Sequence, residues 1–240
     1  MTEILIVFAV AFLGSAVQSV VGFGFIILLM AVLPLFLPIG TCLVVAQFSA
    51  IFMSAVLVWG RTRQIVWKEV AFPAAFAALG GIAGLLFLHA LDDGLYMKLL
   101  GVILVLLALW MIKFSSLVKL RPSPLSGSVV GAVGGLMGAL FGVSAPPLVL
   151  YFSSSAQDKD SYIVNLQATL LIQTAVCLLG RVCLGMWPAG AWRYCLPALV
   201  GAFLGKYPGK WLYNKLDLKT FKLLVYLFMG ILGVYIFLSN

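Results

Sequence analysis

Apolar residues run along this chain in eight blocks, at about 4–36, 41–59, 70–90, 96–114, 126–152, 162–180, 192–205 and 222–238. The stretches between them are short and polar: "RTRQIVWKE", "LDDG", "KLRPSP", "SSSAQDKD", "RVCLGMWPAG" and "KYPGKWLYNKLDLK". Most blocks carry the roughly 20 helical residues needed to cross a hydrocarbon core of about 30 Å. The pattern therefore predicts an all-α polytopic membrane protein. The first and fifth blocks are longer and rich in glycine. They hold "GFGFI" at 22–26 and "GVSAPP" at 142–147, and each glycine in a helix interior costs about 1 kcal/mol relative to alanine. These two blocks are read as broken helices.

The halves repeat. At an offset of 120, Gly14 meets Gly134, Gly22 meets Gly142, Gln47 meets Gln167, Arg61 meets Arg181 and Trp67 meets Trp187. After a four-residue shift, Pro73 meets Pro197, Gly81 meets Gly205 and Asp93 meets Asp217. The division expected is a first membrane repeat over 1–115, a cytoplasmic linker over 116–126 and a second membrane repeat over 127–240. Internal repeats of this kind mark secondary transporters.

Charge then orients the repeats. Arg61, Arg63 and Lys68 place the 60–69 loop in the cytoplasm, and Lys113, Lys119 and Arg121 do the same for the linker. A full crossing by block five would leave Lys206, Lys210, Lys215 and Lys219 outside, against the positive-inside rule. A block that enters and returns keeps them inside. The same reading of block one puts both termini outside the cytoplasm. Each repeat is then a re-entrant hairpin plus three crossings, and an odd number of crossings makes the repeats inverted.

Irregular backbone at membrane depth is tolerated only against protein or a water-filled cavity. Pro146 and Pro147 suit the first turn of a new helix, which needs no N–H there. Each break so leaves a helix N-terminus inside the protein, where free N–H groups and the positive dipole end favour an anion. Two ends related by the repeat are expected to converge on one site near the bilayer midplane. The substrate-binding candidates are Gln18, Ser19, Gly22, Phe23, Gly24, Gln47, Ser144, Ala145, Pro146, Asn165 and Gln167. Their amides, hydroxyls and backbone donors can hold an oxyanion without carrying charge. Gln47 and Gln167 read equally well as hydrogen-bonding glue between helices, and Ser49, Ser54 and Thr174 read better that way. Arg61 and Arg181 end blocks two and six. They are either snorkelling anchors or anion-attracting residues at the two mouths.

Composition narrows the class. The chain is 64% hydrophobic and 9% charged, with mean hydropathy +1.18, which leaves no soluble domain. The net charge of +8 reflects basic cytoplasmic loops rather than nucleic-acid binding. Cys42, Cys177, Cys183 and Cys195 lie in apolar blocks without metal spacing, so no metal or other cofactor is expected. "MTEILIVFAV" has no positive n-region and does not read as a signal peptide. None of the seven acids falls in the middle of a block, whereas proton- and sodium-coupled carriers usually keep an intramembrane carboxylate. No nucleophile–base pair or zincin helix is present, which argues against an enzyme.

The stretches "VQSVVGFGFIILLMAVLP" (17–34) and "GLMGALFGVSAPPLVLYFSSSAQDKDSYIVNLQATL" (135–170) resemble the sulfite exporter TauE/SafE family, also called the toluene sulfonate uptake permease family. The resemblance covers essentially the whole chain and is nearest to a branch with a QSxxGFGF first break and a GGPPL-like second break. At 143–145 "VSA" stands where a glycine run is usual, and Asn165 and Gln167 lie near a position that is often basic. The resemblance implies a multi-pass protein of the bacterial inner membrane that exports sulfite or an organosulfonate as a secondary transporter. An anion channel, or an uptake permease for another small organic anion, is the alternative. Its partners would be the small anion and the lipid bilayer; a homo-oligomer is compatible with the sequence.

Overall fold

A computed structural model of the chain describes residues 2–21, 23–88, 92–113, 120–155, 158–213 and 218–239. Among these residues the fold is helical throughout. The helices are α1 (Thr2–Val21), α2 (Phe25–Val32), α3 (Ile39–Val58), α4 (Trp67–Leu88), α5 (Asp93–Lys113), α6 (Pro124–Phe141), α7 (Ala145–Ser155), α8 (Lys159–Cys183), α9 (Trp192–Tyr213) and α10 (Leu218–Ser239). A 3₁₀ turn, Leu33–Leu35, extends α2. Among the described residues six helices, α1, α3, α4, α5, α6 and α8, are long and apolar enough to cross a membrane. This is a multi-pass membrane protein.

Blocks one and five are each interrupted. α6 ends at Gly142, whose φ of +75° is a left-handed conformation that suits glycine. α7 then begins at Ala145 with Pro146 and Pro147 in its first turn. It runs back along α6: Ser144 lies against Gly138, Leu148 against Gly134 and the Tyr151 hydroxyl against Gly127. α2 likewise folds back on α1, with Phe25 and Leu29 against Gly14. At 1.5 Å per residue, the 8 residues of α2 and the 11 of α7 span about 12 and 16 Å. Each returning arm therefore covers about half of a hydrocarbon core.

The chain forms two compact units. The first comprises Met1–Ser49, Leu91–Leu117 and Trp187–Asn240, and the second Ala50–Ala90 and Val118–Met186. In the first, α9 packs on α1 through Gly201, Gly205 and Gly209, which face the backbone of Phe8, Phe12 and Ala16. α5 and α10 meet at Gly101 and Gly233. In the second, α6 packs on α4 through Gly131 and Gly135, which face the carbonyls of Pro73 and Ala77. Lipid supplies no hydrophobic drive between helices, so close backbone approach at small residues replaces it. The outer faces remain apolar, as at Phe72, Leu79 and Leu86 on α4.

Candidate functional site

In the first unit the break places Gly24 at the head of α2 with φ +114°. The side-chain oxygen of Gln18, one turn before the end of α1, accepts from the Phe25 backbone N–H at 3.3 Å. That N–H is one of the donors a helix start otherwise leaves without an intrahelical partner. Ser19 donates instead to the Ser15 carbonyl at 2.9 Å, so its hydroxyl is turned along α1. Phe23 is buried. With Val17, Gly24, Ile27, Tyr226 and Met229 it lines an apolar cavity of about 20 Å³, the size of a single water. Gln47 is buried in α3. Gly22 lies outside the described residues.

The second unit builds a denser polar cluster. Ser144, in the break, is buried and donates to the side-chain oxygen of Gln173 on α8 at 2.9 Å. The same oxygen accepts from the Thr174 hydroxyl at 3.3 Å. The Gln173 nitrogen donates to Cys177 Sγ at 3.1 Å. Gly138 makes room for this amide, since a Cβ there would stand 2.5 Å from Gln173 Nε2 and 2.9 Å from Ser144 Cβ. Ala145 opens α7, and the two prolines after it lack N–H groups. Side chains therefore matter more at this break than backbone donors.

Asn165 and Gln167 are not part of that cluster. Asn165 fastens the start of α4, accepting from the Val66 N–H at 2.9 Å and donating to Glu69 at 3.1 Å. It precedes Gln173 by two turns, about 12 Å along α8. Gln167 accepts from the Ser54 hydroxyl at 2.8 Å. The two arginines also differ. Arg61 is exposed and pairs with Asp160 at 3.7 Å. Arg181 is only 1% exposed and donates to the Ala139 carbonyl in the last turn of α6, where a cation meets the negative end of the helix dipole.

Gln173 is the residue that sequence reasoning passed over. The signal was the spacing on α8: Asn165, Thr169, Gln173, Cys177 and Arg181 recur every four residues and form one buried face. Among the described residues no group of three metal-ligating side chains occurs.

The sequence profile of the sulfite exporter TauE/SafE family matches residues 7–236. A protein of Cupriavidus necator named "Probable sulfite/organosulfonate exporter TauE" is 32% identical over 152 residues, 58% of this chain and 56% of that protein. The chain thus spans about half the length of that curated relative, 56%. No solved structure matches.

Proposed function

This chain belongs to the sulfite exporter TauE/SafE family, and from that premise we propose that it exports a small sulfur-containing oxyanion, sulfite or an organosulfonate, across a bacterial inner membrane. The observation that carries the reading is the family match, which runs through both helix breaks. In the first unit the Phe25 N–H and the Gln18 amide stand at the break, and in the second the Ser144 hydroxyl does; each set offers donors that suit an oxyanion. The protein works as a secondary transporter whose two halves are inverted repeats.

The driving force needs no protein carboxylate. Among the described residues no Asp or Glu is buried. A membrane potential alone drives a monoanion outward with about 2.3 kcal/mol per 100 mV.

The test is flux in proteoliposomes. Labelled sulfite and a simple sulfonate are offered with and without an imposed potential. Saturable flux of either anion that follows the potential is the expected result. Unitary currents that do not saturate would identify a channel instead. Folded protein that moves neither anion would end the export reading.

A further inference from the structure

A buried glutamine in a membrane protein usually serves as glue between helices, and Gln173 is 1% exposed. Its bonding is uneven. The amide oxygen takes two hydroxyl donors, Ser144 and Thr174. The amide nitrogen, with two N–H bonds to give, is directed at a thiol sulfur, one of the weakest acceptors a protein offers. The amide thus occupies two good donors and spends its own on a poor partner. An oxyanion would satisfy all of them better, since bonds from these groups to a charged acceptor are shorter and about twice as strong.

The first break has the same arrangement by a different route. There Gln18 accepts from the first donor of α2. The residue equivalent to Gln18 in the second half is Gly138, and the space this glycine leaves is where the Gln173 amide sits. The equivalent of Gln173 in the first half is Met53. Two halves with unrelated residues at these positions both bring an amide oxygen to the start of the returning arm. Arg181, two turns beyond Gln173 on the same buried face, adds a positive charge about 12 Å further along α8.

We propose that Gln173 is a substrate-binding and specificity-determining residue, and that the sulfonate or sulfite group displaces its amide oxygen from Ser144 and Thr174. The three oxygens of the substrate then receive the Ser144 hydroxyl, the Thr174 hydroxyl and the Gln173 NH₂ group. This assignment rests on the export reading and names the donors that recognise the anion. It selects a three-oxygen head group over a carboxylate, which has two.

The experiment measures flux of labelled methanesulfonate, a monoanion at every usable pH, by the wild type and by Gln173→Glu, Gln173→Leu and Thr174→Val. Monodispersity in detergent establishes folding, and Thr174→Val carries the test if Gln173→Leu does not fold. The expected result is a KM raised about tenfold or more in Gln173→Leu and Thr174→Val. Gln173→Glu is expected to approach the wild type at acid pH, where a buried carboxyl is neutral, and to lose affinity at alkaline pH as it ionises. The wild type should show no such pH dependence. Wild-type flux with unchanged KM in all three variants at both pH values overturns the assignment alone. Absence of wild-type flux for labelled sulfite as well as for methanesulfonate overturns the export reading and this assignment with it.

Discussion

Gly205 of α9 lies so close to Phe12 of α1 that a methyl group on it would overlap the Phe12 carbonyl oxygen. The obstruction is backbone rather than a flexible side-chain end, so neither helix can yield without separating. Gly205→Ala should destabilise the protein by about 1–3 kcal/mol, the usual cost of overpacking. Gly135→Ala should do the same against Ala77 in the second unit. Gly40→Ala is the contrast, because its Cβ finds an ordinary 3.4 Å contact with Pro188. Melting temperatures in detergent should fall for the first two and stay level for the third.

Gly24 presents the opposite problem. A Cβ there meets only Val17, at 3.5 Å, yet φ is +114°. Space is available and conformation is not. Gly24→Ala should cost about 1–3 kcal/mol of backbone strain. Gly24→Trp should abolish anion flux while the protein remains monodisperse. Wild-type flux in that variant would remove the first break from the transport mechanism.

Asn165→Leu should lower stability by about 1–3 kcal/mol, because the Val66 N–H loses its side-chain acceptor and the Glu69 carboxylate loses one of its two donors. Ser155→Ala, which loses a longer 3.3 Å bond to the same carboxylate, should cost less. Thermal unfolding of the two variants side by side reads the difference. Equal melting points would mean that Asn165 does not fasten α4.

Asp158 caps α8 outside the membrane. Hydrogen bonds from the Ser161 backbone and hydroxyl hold its carboxyl below the usual carboxylate range. A group depressed in the folded state stabilises above its unfolded pKa and loses that contribution as pH falls through the folded one. Asp158→Asn keeps a capping oxygen and cannot titrate. Its melting point should therefore fall less than that of the wild type between mildly acid and strongly acid buffer. Parallel curves for the two proteins would contradict the cap's charge dependence.

Much of this helical architecture is readable in the sequence. Paired glycines and a Pro-Pro step cannot sit quietly in a helix interior, so the breaks before Phe25 and Ala145 announce themselves. The polar cluster at the second break was harder to see. The repeat register drew attention to Gln47 and Gln167, which match, and away from Gln173, whose partner is the apolar Met53. Arg181 reads as a helix-end arginine because sequence does not show that α6 ends beside it and accepts its donor. The stripe of four-residue spacing on α8 was the information that would have recovered both.

The pairing of α1 with α9 has a consequence for synthesis. At about 5–20 residues per second, α1 leaves the ribosome roughly 10–40 s before its partner exists. Its glycine-matched face must wait in lipid for that time, while α4, α6 and α8 are all made by residue 183. The second unit therefore matures while the first is still being translated. A nascent chain stalled after residue 186 should already protect α4 and α6 from protease, and release α1 to its partner only when translation resumes.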